Sequence, residues 1–176
     1  MPNDDKQEFQ EFEHTGDLGI ELTAPTRVEL FRRAAIALAA LLVEKDTVAA
    51  IEERRLTVAG DSDADLMHDV LTTLVCLLTV DGFIWCDASV SEIGRGLVIT
   101  LKGEPFDATR HSLRGEIKAV TYHELAVTNL RLAGAHNLGC LTLLPAVGCR
   151  DRIHASCGLL EGIRRFLARP VWYASR

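Results

Sequence analysis

The sequence predicts an α+β fold: a two-layer sandwich in which helices pack on one face of a mixed, largely antiparallel sheet. Two segments carry apolar residues at helical spacing, and the segments around them alternate apolar and polar residues as strands do. Hydrophobic residues make up 48% of the 176 residues, which is enough to build a packed core. The predicted order of elements is β-β-α-β-α-β-β-β.

The chain opens with a predicted hairpin. Residues 8–13 and 18–22 alternate in the manner of strands, and His14-Thr15-Gly16-Asp17 forms the turn between them. A further strand is predicted over residues 51–58. The first polar motif of the chain therefore lies at a junction between two strands.

Two helices are predicted from capping boxes, in which a hydroxyl and a carboxylate three residues apart bind free backbone N–H groups. Thr26 and Glu29 have this spacing at the first helix, which is expected to end near Lys45. Ser62 and Asp65 have it at the second. Each helix also carries an apolar stripe: Leu30, Ala34, Leu38 and Leu41 in the first, and Leu66, Val70, Leu74 and Leu77 in the second.

The second half of the chain is dominated by predicted strands. Residues 83–90 and 97–101 form two of them, with Gly94-Arg95-Gly96 as the hairpin turn between them. A third strand is predicted over residues 116–127. The region beyond it has weaker patterns: short strands at 130–132 and 141–144, then a helix over 152–168.

Three segments are expected: a flexible leader at 1–7, one domain at 8–127, and a divergent C-terminal tail at 128–176. Charge supports the last boundary. Residues 1–123 carry a net charge of −10, whereas residues 124–176 carry +4, with seven arginines and no lysine. Three of the five cysteines also lie beyond residue 139.

Composition also narrows the cellular setting and the partners. The chain shows no signal peptide, no apolar run of about 20 residues and no C-x-x-C pair, which predicts a cytoplasmic protein with reduced thiols and no membrane association. A formal charge of −6 argues against a general nucleic-acid binder. An acidic protein can still serve RNA chemistry indirectly, through a basic protein partner or a metal.

His14 and Asp17 are the first candidate site residues. An imidazole and a carboxylate in one tight turn can bind a metal or exchange a proton. The alternative is structural: Asp17 caps the turn through backbone amides, and His14 is an ordinary residue at the end of a strand. The spacing leaves both interpretations open.

Asp61, Asp63 and Asp65 place three carboxylates at alternate positions before the second helix. They resemble a divalent-cation loop, but the glycine and the distal glutamate of a calcium loop are missing. Capping of the helix by Ser62 and Asp65 is the alternative, and a share in a metal site with Asp17 remains open.

Two later motifs gather further polar residues. Gly103-Glu104-Pro105-Phe106-Asp107, followed by Arg110-His111, forms a predicted turn with Glu104, Asp107 and His111 as candidate site residues. Lys118-Ala119-Val120-Thr121-Tyr122-His123 is expected to be a half-buried strand, in which His123 is either a core histidine or part of a site.

Taken together, the motifs resemble those of the archease family, small proteins that assist the GTP-dependent RNA ligase of tRNA splicing and RNA repair. The resemblance covers about residues 8–125. Its most specific part is Glu13-His14-Thr15-Gly16-Asp17-Leu18-Gly19, with Gly16 in place of the usual alanine and Leu18 in place of the usual isoleucine.

The resemblance implies a role for each motif. Asp17 would contact a divalent metal ion, calcium or a manganese shared with the ligase, and His14 would support it. Glu104, Asp107, His111 and His123 would shape a pocket or the surface for the partner. The chain would activate the ligase, promoting its guanylylation and multiple turnover, and would meet RNA only through it.

The C-terminal tail departs from the family pattern. Archeases end in a short hairpin whose last strand finishes in a second metal-site aspartate, and the only aspartate here after Asp107 is Asp151, in a different context. The tail is either a functional extension or the product of a shifted reading frame. The alternatives to an activator are therefore an inactive archease copy, a stand-alone metal-dependent enzyme and a modulator of protein folding.

Overall fold

The structure is a computed structural model of the chain, and it describes residues 9–14, 17–117, 119–122, 125–132 and 135–147. Side chains are described for residues 20–44, 46–115, 117, 119–122 and 125–128. The predicted leader, residues 1–7, and the predicted tail helix, residues 152–168, lie outside the described residues.

Eight strands, two α-helices and one short 3₁₀ helix make up the described fold. The strands are β1 (Phe9–His14), β2 (Asp17–Ala24), β3 (Glu52–Ala59), β4 (Phe83–Ile93), β5 (Gly96–Pro105), β6 (Glu116–Ile117), β7 (Ala126–Leu132) and β8 (Ala135–Val147). The helices are α1 (Arg27–Leu42) and α2 (Asp63–Thr79), and the 3₁₀ helix is Lys45–Thr47.

The described strands form two sheets. One has the order β1-β2-β8-β6, with β7 also pairing with β8, and the other has the order β3-β5-β4. Every pairing between these described strands is antiparallel. The predicted α+β class is therefore confirmed, but the strands divide between two antiparallel sheets where the sequence predicts one mixed sheet. The physical reason is that β8 pairs with β2, β6 and β7. The pairing of β8 with β2 joins residues far apart in the chain, which local sequence patterns cannot predict.

Both helices begin at the predicted caps. The Thr26 hydroxyl accepts a hydrogen bond from the Glu29 backbone N–H at 3.2 Å, and the Ser62 hydroxyl accepts one from the Asp65 N–H at 3.1 Å. At α1 only this half of the capping box is described. The Glu29 carboxylate instead binds Arg32 and Arg33, at 2.8 and 2.9 Å, on the first turns of the helix.

One hydrophobic core joins the helices to strands of both sheets. Leu30 and Phe31 of α1 are fully buried, as is Leu74 of α2. Strand β2 contributes Ile20 and β4 contributes Trp85, each 1% exposed. Because both sheets supply residues to the same core, the fold forms one domain over the described residues.

A β-bulge in β4 places Trp85 in this core. The register between β4 and β5 shifts between Trp85 and Asp87, and the Trp85 indole N–H donates to the Ala35 carbonyl of α1 at 2.9 Å. Gly103 of β5 lies against the bulge, where a Cβ atom would collide with the backbone of Ile84 and Trp85. Gly103, the glycine of the second motif, is therefore required by the packing of β5 against β4.

The predicted strand over residues 116–127 is wrong at residues 119–122 and 125, which are described and lie outside any strand. Only Glu116–Ile117 pairs as β6, and β7 begins at Ala126. The described residues between them leave the sheet, and the Tyr122 ring stacks on His68 of α2, with ring centroids 4.0 Å apart. Contact with a helix replaces the backbone pairing that the alternating pattern predicts.

The strands predicted in the tail at 130–132 and 141–144 are confirmed and are longer than expected, since they belong to β7 and β8. The expected boundary between residues 127 and 128 falls inside β7. Residues 126–132 and 135–147 are thus part of the sheet. Strand β5 is also longer than predicted and continues through Pro105.

Of the described helices, neither is long and apolar enough to cross a membrane.

Candidate functional site

The first motif lies at the closed end of the β1–β2 hairpin. His14 pairs with Asp17 across the hairpin, and Asp17 also pairs with Pro145 of β8. The predicted junction between two strands is confirmed by this register. The hairpin sets the backbones of the two candidate residues opposite each other, and β8 holds Asp17 from its other side. The side chains of His14 and Asp17 lie outside the described part of the structure.

The acidic residues before α2 are held by local contacts. Asp63 accepts a hydrogen bond from the Arg27 guanidinium at 2.7 Å, and Asp65 accepts one from the Ser62 hydroxyl at 2.6 Å. Asp61 is almost fully exposed and lies 3.9 Å from Arg95. The predicted cap is confirmed for Ser62, whose hydroxyl accepts the Asp65 backbone N–H, whereas the Asp65 carboxylate binds the Ser62 hydroxyl and not a backbone N–H.

A ligand set for a metal ion is not formed within the described residues. Among them, no group of three or more His, Cys, Asp or Glu side chains is arranged to hold an ion. Divalent hard cations such as calcium need several oxygen ligands. The described side chains therefore do not by themselves fit the divalent ion that the sequence resemblance implies.

The second motif forms a buried ion-pair cluster around Glu104. The Glu104 side chain is only 3% exposed and accepts hydrogen bonds from the Arg110 guanidinium at 2.8 and 3.1 Å. It also accepts one from the Ala49 backbone N–H at 2.6 Å and contacts Nε2 of His111 at 3.2 Å. Both carboxylate oxygens are thus bound, which is what a buried charge requires.

The hydrogen bonds of His111 determine which nitrogen carries its proton. The Asp107 backbone N–H donates to Nδ1 at 2.9 Å, so the ring proton lies on Nε2, which donates to Glu104. Asp107 itself accepts from the backbone N–H and the hydroxyl of Thr109 at 2.9 and 2.8 Å. These two bonds from Thr109 lower the pKa of the Asp107 carboxyl.

The Glu104 cluster ties together two loops that cover a small second core. Glu104 and His111 are buried beside this core, while Asp107 is exposed. Ile84 lies on the face of β4 opposite to Trp85 and forms this core with Val43 and Val48. Three partly buried residues pack around them: Leu78, Cys86 and Phe106. The cluster therefore holds the loop after α1 against the loop after β5.

The electrostatics of this cluster favour the ionised carboxylate. The Arg110 guanidinium, the Ala49 N–H and the His111 N–H together lower the pKa of Glu104 from 4.5 to about 2. The Glu104 carboxylate therefore stays charged at neutral pH, and both of its oxygens accept hydrogen bonds from these donors. Such a carboxylate serves to position Arg110 and the two loops.

An open cavity of about 460 Å³ lies between β3, the start of α2 and the third motif. Three carboxylates, Asp61, Asp65 and Asp69, line it together with Arg95 and Tyr122. Tyr122 stacks on His68 with an interplanar angle of 11° and remains 56% exposed. Burial, followed by the charges of Asp65 and Asp69, raises the pKa of the Tyr122 phenol.

Sequence patterns did not single out Tyr122, Asp69 or Arg110 as site residues. Tyr122 was expected to lie on a strand, and Asp69 reads as one more polar residue on a helix. The available signal was the spacing of Asp65 and Asp69, which places both on one face of α2. The remaining candidate, His123, lies outside the described residues.

Comparison with known proteins gives consistent matches. A family model described as the archease protein family (MTH1598/TM1083) matches residues 9–136, beyond the residue 125 reached by the motifs. Protein archease from Methanopyrus kandleri is 34% identical over 123 residues, covering 68% of this chain and 88% of that protein. Protein archease from Pyrococcus abyssi is 30% identical over 126 residues, covering 69% and 89%.

A solved structure agrees with these matches. The solution structure of Methanobacterium thermoautotrophicum protein 1598 superimposes with a TM-score of 0.61 at 25% sequence identity, covering 79% of this chain and 99% of that one.

Proposed function

The chain belongs to the archease family, and from that membership we propose that it is an accessory protein that activates a GTP-dependent RNA ligase. The ligase joins a 3′-phosphate or cyclic phosphate end of RNA to a 5′-hydroxyl, in tRNA splicing or RNA repair. In this proposal the ligase makes the bond. The accessory chain speeds guanylylation of the ligase and supports multiple turnover.

The observation that carries this proposal is the extent of the family match. It begins at residue 9 and includes the β1–β2 hairpin, the buried Glu104 cluster and the start of β8. The hairpin that presents His14 and Asp17 is therefore inside the matched region, and its pairing with β8 anchors it to the sheet.

Asp17 is the proposed contact to a divalent metal ion, with His14 in support. The described side chains do not form a complete ligand set. In the proposal, calcium, or a manganese shared with the ligase, would take its other ligands from the ligase or from residues outside the described part. The acidic body of the chain, with a net charge of −10 over residues 1–123, supports docking on a basic RNA-binding partner.

The test is ligase guanylylation and multiple-turnover RNA joining, measured with and without the full chain. The Asp17→Ala variant is compared with Asp46→Ala, which removes an exposed carboxylate in the 3₁₀ helix. We expect stimulation by the natural chain and by Asp46→Ala, and loss of stimulation by Asp17→Ala. Circular dichroism establishes that each variant is folded.

Two outcomes would contradict the proposal. A folded chain that does not stimulate the ligase would favour an inactive archease copy with an altered C-terminus. RNA joining or hydrolysis by the chain without any ligase would favour a metal-dependent enzyme instead.

A further inference from the structure

We propose that the cavity beside Tyr122 binds an arginine side chain presented by a basic segment of another protein. The feature that carries this inference is the aromatic ring, which the third motif places on α2 instead of in the sheet. One face of Tyr122 is covered by His68 at a centroid distance of 4.0 Å, and 56% of the residue remains open beside the cavity.

The ring is held rigidly enough to act as a platform. The stacking with His68 is nearly parallel, at 11°, and the Tyr122 carbonyl accepts a hydrogen bond from the Leu125 backbone N–H at 3.2 Å. His68 is itself held on its helix, with Nδ1 lying 3.1 Å from Asp69. A planar guanidinium can lie on an aromatic face of this kind, with a cation–π attraction.

The charges around the ring favour a cation. Among the described residues that line the cavity, three are acidic (Asp61, Asp65 and Asp69) and one is basic (Arg95), so the described lining carries a negative formal charge. Arg95 lies 3.9 Å from Asp61. Asp65 accepts from the Ser62 hydroxyl at 2.6 Å and Asp69 contacts Nδ1 of His68 at 3.1 Å, but neither carboxylate pairs with a lysine or arginine among the described residues. These two carboxylates are four residues apart on α2 and therefore lie on the same face of the helix.

Geometry selects arginine over lysine as the occupant. A guanidinium offers a flat face to Tyr122 and a fork of N–H donors to carboxylates, whereas an ammonium group offers a point charge. The cavity volume of about 460 Å³ has room for one long side chain and part of its backbone. A protein segment is the fitting source, because phosphates of a nucleic acid would meet the carboxylates.

None of the described residues that line the cavity belongs to the β1–β2 hairpin, and the inference goes beyond the proposed function. The cavity would bind arginine whether or not the chain stimulates an RNA ligase, so the failure of one idea leaves the other intact.

The test measures binding of a short, fluorescently labelled arginine-rich peptide to the full chain by fluorescence anisotropy. A peptide with lysine at every arginine position is the matched probe. We expect the arginine peptide to bind about fivefold more tightly than the lysine peptide, because a guanidinium adds flat stacking on the ring and forked hydrogen bonds that an ammonium group cannot make. Equal binding of the two peptides, or no binding of either, would overturn the proposal.

Matched variants locate the binding. Tyr122→Leu should weaken the arginine peptide about fivefold, whereas Tyr122→Phe keeps the ring and should change it less than about twofold. Asp69→Asn should also weaken binding, and Asp46→Asn, outside the cavity, should not. The proposal is overturned if Tyr122→Leu, shown to be folded by circular dichroism, binds as tightly as Asp46→Asn.

Discussion

His111 donates its Nε2–H to the buried carboxylate of Glu104 across 3.2 Å, and the two side chains are 0% and 3% exposed. The pair joins residues from the second motif to the loop at Ala49, more than fifty positions away in the chain. At Glu104 and His111, the motif that the sequence predicts as a turn is thus a buried connection between loops.

Acid should remove the contribution of Glu104 to stability. Its pKa is lowered from 4.5 to about 2 in the folded protein, chiefly by Arg110, so its stabilisation is complete above pH 4.5 and is lost as the pH falls toward 2. We expect Glu104→Gln to be less stable than the natural chain at pH 7, with a difference that narrows between pH 4.5 and 2. Urea unfolding of both proteins between pH 2 and 7 measures this difference in stability.

Glu29→Gln is the matched control for that titration. Arg32 and then Arg33 also lower the pKa of Glu29 to about 2, but this side chain is 26% exposed, so solvent weakens its ion pairs. At pH 7 we expect Glu29→Gln to lose less stability than Glu104→Gln. Equal stability of Glu104→Gln and the natural chain at pH 7 would contradict the buried cluster.

Gly103→Ala should destabilise the fold by about 2 kcal/mol or more, because the added methyl group collides with backbone atoms of β4 at the bulge. Gly115→Ala is the control: its methyl group would make ordinary contact with the Leu41 carbonyl at 3.7 Å. Thermal unfolding of the two variants compares them. Similar unfolding temperatures would show that β4 and β5 are not held together as described.

Trp85→Phe should cost about 1–3 kcal/mol, since it removes the indole N–H that binds the Ala35 carbonyl and leaves space in the core. Chemical denaturation measures the loss. On the same strand, Ile93 is 55% exposed, and Ile93→Val should change stability by less than about 0.5 kcal/mol. A Trp85→Phe variant as stable as Ile93→Val would refute the contact.

The two helix caps should contribute separately. Thr26→Ala and Ser62→Ala should each cost about 1 kcal/mol, because each exposes a backbone N–H that the hydroxyl binds. Thr26→Ser and Ser62→Thr retain the hydroxyl and should retain most of the stability. The double alanine variant, measured by denaturation, should show the sum of the two losses. No loss in either alanine variant would argue against the caps.

The two helices were predictable because their signals are local. Thr26 and Ser62 cap through residues three positions away, and the apolar stripes reflect a single helical face. The β1–β2 hairpin was predictable for the same reason. These elements depend on neighbours in the chain, which a sequence pattern displays directly.

The remaining features depend on residues far apart in the chain. Nothing near Tyr122 indicates that His68 stacks on it, so the alternating pattern predicts a strand at residues 119–122, where the structure has none. The burial of Glu104 depends on a donor at Ala49, and the division into two sheets depends on β8. The sequence at residues 141–144 predicts a short strand but not the strands that pair with it.

The position of β8 in the chain also affects how the protein is assembled during synthesis. Residues 27–105 contain both α-helices and the complete β3-β5-β4 sheet, so all strands of this sheet can pair before β7 and β8 are made. The β1–β2 hairpin, made first, lacks its β8 neighbour until residue 145 has left the ribosome. A nascent chain stopped before residue 135 would therefore carry the Asp17 hairpin with an open edge, exposed to chaperones and to other strands.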